Sequence, residues 1–514
     1  MKKSVRLTFC FLLVVLSFET ICAQSSDASL SSALEQKRTA VESDPESLDA
    51  HKAYLRSFSR KDSLTVNKQY ALWMQRFPTS AIVPFAVAKF YYSHENPQAR
   101  SYLLKAVANK PDFAEAWNRL SVDALFWGNY KWVVEYAEKA ALADRTNADY
   151  AYTLLLYLDD RQKVKRDSLS LDLVLRFPDH NRAAMVLANL AASEKNQVVK
   201  VGYYEQLYTR FSESQPDGFK SGMSGYFSYL IESGSPDKAY TLALKMILDK
   251  QKRNGLEWKF KIKMARCYMD LKDLLDAKKY EEALTVLEEI KFHDHLSASY
   301  VSSSEKLLLL NAEVRNLAGK TQLAYDSLAV YYSKYPSDEV RKPMLAYASK
   351  LGMGSDKVDH HVWTLREAKA LPADNFTLTE FGTSKKVSLS DYKGKVVLLT
   401  YWFPGCGPCR AEFPHFENVL KKFSKDQVVY LGINGLPEQD GFVIPFMKAS
   451  GYSFVSLKED LNRDRGNLIA RSYPANYLID QKGRIVHSKF QISSEVAEHR
   501  LELMIAELLN PKAK

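Results

Sequence analysis

The chain has 514 residues, 46% hydrophobic and 26% charged, with 30 Tyr, 25 Phe and only 20 Gly and 18 Pro. That balance excludes a disordered chain, a collagen and a disulfide-stapled miniprotein, and the length predicts about three structural units. The formal charge of +10 is spread without a run of five basic residues, so nothing points to nucleic acid.

Residues 1–23 read as a secretory signal peptide. Lys2, Lys3 and Arg6 precede a 12-residue apolar stretch, Leu7 to Phe18, shorter than the roughly 20 residues a bilayer span needs. Ile21-Cys22-Ala23 places a small residue before a cleavage point at Gln24. The mature chain is therefore expected in the periplasm or cell envelope, with no later transmembrane span. Lipid anchoring through Cys22 is the weaker alternative, because Thr20-Ile21 precede it where a lipoprotein signal has small residues. Cys267, Cys406 and Cys409 remain after Cys10 and Cys22 are removed. Three cysteines cannot staple a fold; the Cys406–Cys409 spacing is a redox or metal spacing.

Residues 24–350 carry helical periodicity and little strand signal. Pro78, Pro111 and Pro178 are 33 and 67 residues apart, and Phe77, Phe177 and Phe211 keep nearly the same phase. One unit is clear: Trp117 and Leu120 on a first helix, a turn at Gly128-Asn129-Tyr130, then Ala137 and Ala140 on a second. Echoes follow at Lys279 to Ala283 and from Gly319 to Tyr335-Pro336. This pattern resembles the tetratricopeptide repeat, which implies stacked helix pairs with a continuous core and a concave surface. Such an array either binds a protein or peptide partner or positions the domain that follows. Trp73, Trp117, Trp127 and Trp132 are expected in its core, and Cys267 is read as a buried small hydrophobe. His293-Asp294-His295 and His360-His361 are read as solvated loop residues, too local to cage a metal.

Leu351-Gly352-Met353-Gly354-Ser355 breaks the helical texture, which predicts a linker over 351–369. Residues 370–514 then alternate strand-like runs with helices, predicting an α/β domain. Val396 to Phe403 suits a buried central strand. It ends in Cys406-Gly407-Pro408-Cys409, followed by a helix from Arg410. Val428 to Ile433 reads as the next strand, Tyr477 to Asp480 and Ile485 to Lys489 as a hairpin, and Glu495 to Leu509 as a closing helix. At a helix N-terminus, Cys406 faces unpaired N–H groups and the positive dipole end, which makes it the thiolate nucleophile. Cys409, one turn in, is placed to resolve a mixed disulfide. A zinc site lacks a second ligand pair, so no metal and no cofactor are expected. A peroxiredoxin site needs Thr or Ser three residues before the Cys, where Phe403 stands.

Together with Pro372 to Phe376, Leu389 to Lys395, Tyr401-Trp402 and Tyr473-Pro474, the Cys-Gly-Pro-Cys run resembles the thioredoxin superfamily. Within it, the TlpA/ResA-like exported thiol–disulfide reductases are most similar. The resemblance implies a cis Pro474, with Tyr473, Trp402 and Gly405 at the substrate-binding flank. It implies that Glu412 handles the proton of Cys409 and that Pro414 interrupts the active-site helix. Thr400 stands where cytoplasmic thioredoxins carry a buried Asp, Gly405 where a Trp is usual, and Ala475 where a Thr is usual. The whole reads as a multidomain protein, an all-α repeat array followed by a thioredoxin-like α/β domain. The expected activity is reduction of protein disulfides, served by an electron-donor protein. A disulfide oxidase or isomerase with the same site is one alternative, and a non-catalytic interaction scaffold another.

Overall fold

The computed structural model describes residues 32–93, 96–158, 162–211, 216–248, 255–297 and 304–509. The signal peptide and Cys22 lie outside the described residues. No helix among the described residues is long and apolar enough to cross a membrane. The described residues fall into two compact units, one up to Tyr150 and one from Ala151.

From residue 32 to Lys350 every regular element among the described residues is helical, and within each unit neighbouring helices pair, as Ala114–Phe126 does with Tyr130–Ala143 and Gly255–Asp276 with Tyr280–Ser297. The phase seen in the sequence has a structural cause. Phe77, Phe177 and Phe211 each stand just past a helix, and each backbone N–H donates to the carbonyl four residues earlier. The arginine before each ring, Arg76, Arg176 or Arg210, lies over it at 5.3, 4.7 and 5.8 Å respectively. Gly128 and Gly319 adopt φ of +67° and +77° at the turns between paired helices, conformations that cost glycine nothing. Ala137 and Ala140 are fully buried, as close nesting requires. Trp73 is core, but Trp117 and Trp127 are only half-buried and Trp132 is 38% exposed beneath the Arg100 guanidinium. The expectation of four core tryptophans is therefore corrected: only one is enclosed, and the other three keep a face open to cations such as Arg100 and Lys139.

The stretch predicted as a linker is a helix, Ser355–Glu367, which buries Val358, Val362, Trp363 and Arg366. Gly352, at φ +73°, is only the turn that admits it. Trp363 packs into the core of the following domain, among Val396, Leu398 and Leu508. Arg366 pairs with Glu507 and donates to Ser333 O at 3.1 Å. Glu367 bridges Lys482 and Arg484, each at 3.0 Å. Tyr332 donates to Glu507 at 2.8 Å, Arg500 meets Glu305 at 2.7 Å, and the buried His487 Nδ1 reaches Lys334 O at 3.1 Å. This joining helix thus mortises the last helices of the array to the final domain. His360 and His361 sit on it rather than on a loop, and His361 Nδ1 contacts the Tyr325 hydroxyl at 2.8 Å.

The final domain is one eight-stranded sheet: β1 (Leu371–Pro372), β2 (Thr377–Glu380), β3 (Lys386–Ser388), β4 (Val396–Trp402), β5 (Val428–Asn434), β6 (Val455–Lys458), β7 (Ala475–Ile479) and β8 (Arg484–Ser488). Their order across the sheet is β1-β8-β7-β4-β5-β6-β2-β3. β4 is buried along its whole length and lies parallel to β5 and antiparallel to β7. The active-site helix (Gly407–Leu420) and the closing helix (Glu495–Leu509) cover one face around Phe413, Phe416, Met504 and Ile505. His415 and Asn418 on the first contact Glu498 on the second at 2.5 and 3.1 Å. The central strand, the hairpin and the closing helix agree with the sequence reading. β1, β2, β3 and β6 carry two to four residues each, too few for period-two alternation to register.

Candidate active site

β4 delivers the chain to the dithiol. Its last residue is Trp402; the turn Phe403-Pro404-Gly405 follows, and Cys406 becomes the N-cap of the active-site helix. The helix begins at Gly407, three residues earlier than expected, because Pro408 fits its first turn with no N–H to satisfy. Cys406 and Cys409 form a disulfide with Cα atoms 5.3 Å apart. The Cys409 N–H donates to Cys406 Sγ at 3.2 Å, the position in which a backbone donor stabilises negative sulfur. Cys406 keeps 4% of its surface open, whereas Cys409 is fully enclosed; Gly407 and Pro408 between them are exposed. Pro414 lies inside the helix, as the sequence predicts.

Glu412 is one turn beyond Cys409, 3% exposed and set between helix and sheet. Its Oε2 accepts from Asn476 Nδ2 at 2.8 Å and its Oε1 from the Ile492 N–H at 3.0 Å. Burial pushes the carboxyl above its ordinary value, against these two bonds and the nearby His415. Asn476 is held in turn: Thr400 on β4 donates to its Oδ1 at 2.9 Å, and its Nδ2 also donates to Phe490 O at 2.9 Å. The position where cytoplasmic relatives carry an acid therefore holds the far end of a Thr400–Asn476–Glu412 chain.

The Tyr473–Pro474 peptide bond is cis. The Tyr473 hydroxyl donates to Gly435 O at 3.0 Å, and its ring meets Phe403 edge-on at 5.2 Å. An open cavity of about 640 Å³ lies on the Pro474 side, lined by Pro474, Asn476, Tyr477 and Phe490 with Arg471 and Lys489 at its rim. Gly405 donates its N–H to the Oε1 of the buried Gln439 at 2.6 Å, so a side chain from beyond β5 fixes the turn before Cys406. Trp402 is not at the substrate flank. It is fully buried among Phe413, Phe446 and Phe454, with ring centroids 5.0 to 5.3 Å away, so its expected contact with substrate is corrected to packing beneath the dithiol.

Gln439 and Asn476 escape sequence reasoning because neither belongs to a recognisable spacing; only the fold brings them within reach of the cysteines' neighbours. Cys267 lies apart in the array, 6% exposed, and burial with the Glu289 carboxylate pushes its thiol up to about 11. His293, beside it, is on the helix Tyr280–Ser297 and half-buried, which corrects the solvated-loop reading. The side chains of Asp294 and His295 lie outside the described residues.

Residues 370–488 match the family model described as the AhpC/TSA family. The chain is 30% identical over 135 residues to the thiol-disulfide oxidoreductase ResA of Bacillus thuringiensis subsp. konkukian, covering 25% of this chain and 72% of that one. With ResA of Bacillus subtilis the identity is 37% over 117 residues, covering 22% and 63%. A solution structure of a thiol:disulfide interchange protein from Bacteroides sp. matches at 26% identity with a TM-score of 0.23, covering 27% of this chain and 90% of that one.

Proposed function

Because the chain belongs, through its C-terminal domain, to the ResA-like thiol–disulfide oxidoreductases, we propose that it is an exported reductase of protein disulfides working in the periplasm or cell envelope. The observation that carries this reading is the disulfide capping a helix, with a buried, protonatable Glu412 one turn beyond its inner cysteine.

In the reduced protein, the Cys406 thiolate attacks one sulfur of a substrate disulfide. A Cys406–substrate disulfide forms and one substrate thiolate leaves. Cys409 then loses its proton to Glu412 and attacks Cys406 Sγ. The Cys406–Cys409 disulfide forms, the second substrate thiolate leaves, and two electrons have passed to the substrate. Glu412 suits the proton step because burial brings its affinity for a proton nearer to neutrality than that of a solvated carboxylate. Asn476 is a positioning residue, acting on Glu412 and not on sulfur. The Tyr473 backbone before cis Pro474 and the open flank at Gly405 support docking of an extended substrate segment. A donor protein with its own dithiol restores the pair. The domain assignment behind this is a signal peptide over 1–23, a partner-binding array over 24–350 and a catalytic domain from 370, with 355–367 helical between them.

The test is trapping. Cys409→Ser should accumulate a Cys406 mixed disulfide that mass spectrometry identifies, and the wild-type pair should equilibrate near thioredoxin's potential of about −270 mV rather than the about −120 mV of a strong oxidant. Failure to trap any substrate refutes the exchange reading, and a potential above about −150 mV moves the assignment to a disulfide oxidase.

A further inference from the structure

Two helices of the array, Gly255–Asp276 and Tyr280–Ser297, pack as an antiparallel hairpin turned at Ala277-Lys278-Lys279. Cys267 projects from the first; Glu289 and His293, four residues apart and so on one face, project from the second. One ligand-type atom from each of the three lies within 4.8 Å of the other two. We propose that Cys267, Glu289 and His293 bind a divalent transition-metal ion of the zinc class, at a site built into the helical array and independent of the Cys406–Cys409 pair.

The donor set is the first support. Thiolate, carboxylate and imidazole are the three side-chain ligands of zinc, and together they supply two negative charges to a dication. The spacing is the second. Metal–sulfur and metal–oxygen bonds of about 2.3 and 2.0 Å at tetrahedral angles place the two ligand atoms about 3.5 Å apart. Cys267 Sγ and Glu289 Oε2 are 3.6 Å apart. The remaining separations are no more than 4.8 Å. The third support is the gradient of burial. Cys267 is enclosed with Leu271, Ala283, Leu287, Ile290 and Val314, His293 is half-buried with its ring 6.1 Å from that of Phe260, and Glu289 is exposed. A cation can therefore enter past the carboxylate, and water can complete the shell.

A buried cysteine used only as a small hydrophobe has no need of a carboxylate at its sulfur. Lys263 and Asp270 stand one helical turn to either side of Cys267, and Cys267 is a neutral thiol until an ion displaces its proton. Spanning both helices, the ion would clamp the hairpin.

The test uses the full chain with Cys406–Cys409 oxidised and Cys10 and Cys22 replaced by Ser, so that Cys267 is the sole thiol. Titration with Co2+ should give one ion per chain and a thiolate-to-cobalt charge-transfer band that stoichiometric Zn2+ bleaches. The band should vanish in Cys267→Ser, and the apparent Kd should weaken at least tenfold in both Glu289→Gln and His293→Gln. Insulin reduction by reduced Cys267→Ser should match the parent chain. The proposal is overturned by the absence of a charge-transfer band at excess Co2+, or by an unchanged Kd in either Glu289→Gln or His293→Gln. A folded far-ultraviolet dichroism spectrum in the variants keeps loss of structure from counting as loss of ligand. Because binding is read with the disulfide intact, failure here leaves the exchange reaction untouched.

Discussion

Replacing Glu412 by Gln is the sharpest probe of the proton step, because the structure predicts two separable effects. Each carboxylate oxygen accepts one N–H, from Asn476 at 2.8 Å and from Ile492 at 3.0 Å. Glutamine keeps the volume but offers one acceptor oxygen, so its NH2 group must face one of those donors. Losing a buried hydrogen bond and opposing two donors costs about 1–3 kcal/mol, read as a lower denaturation midpoint. The kinetic effect is distinct. A positioned general base contributes about 10²–10⁴-fold; water reaching the opened site recovers part of this, so resolution should slow by tenfold or more. Mixing reduced protein with an aryl disulfide releases one coloured thiolate at each attack, which separates the two steps in a stopped-flow trace. The first phase should stay within twofold of wild type and the second should slow. If the second phase also stays within twofold at every pH between 6 and 9, Glu412 is structural and the proton leaves by another route.

Three further outcomes are expected. At neutral pH iodoacetamide should label Cys406 of the reduced protein well before the enclosed Cys409, and peptide mapping showing the reverse order would exchange their roles. His487 is buried against Lys334 O near Arg366, which holds its pKa down to about 3 from the usual 6.5. The unfolded chain therefore binds the proton first: stability is full above about pH 6.5, falls by about 2 kcal/mol on reaching pH 5, and keeps falling toward pH 3. Urea melts should show that loss, and His487→Asn should flatten it. Removing the buried Arg366 takes a donor from Ser333 O and leaves Glu507 to the Tyr332 hydroxyl, so Arg366→Ala should destabilise residues 151–514 by about 2 kcal/mol and expose 355–367 to proteases that barely cut the parent chain there.

The dithiol and its strand-to-helix setting were legible because they form a short run of neighbouring residues with its own chemistry, whereas Pro474, Pro414 and Glu412 were reached through the resemblance that this run carries. The helix at Ser355–Glu367 was not, although Val358, Val362, Trp363 and Arg366 already have helical spacing. Two glycines at 352 and 354 and the polar run Asp356-Lys357 mimic a linker, and only the partners of Trp363 and Arg366, more than thirty residues away on either side, show the face to be buried. Gln439, Asn476 and the Cys267–Glu289–His293 cluster escaped for the same reason. Each is made by side chains from separate elements, and periodicity reports which face of an element is apolar, not what stands opposite it. Trp402 erred in the other direction: position in a motif suggested contact with substrate, while its strand is buried on both faces and its ring is enclosed by Phe413, Phe446 and Phe454.

The joining helix changes how the molecule should melt. A stacked array left to itself can unzip from its ends, each pair held only by its neighbours. Here the last pairs end against Trp363 in the oxidoreductase core and against Glu507 near the end of the closing helix. The terminal repeats cannot fray without dislodging the sheet that carries the cysteines, and the sheet cannot open without releasing the repeats. Calorimetry should therefore find one cooperative transition for residues 151–514. A redox-dependent gain or loss of stability at Cys406–Cys409 should then register in the last helices before Lys350, so that opening and closing of that ring changes their stability as well as that of the sheet.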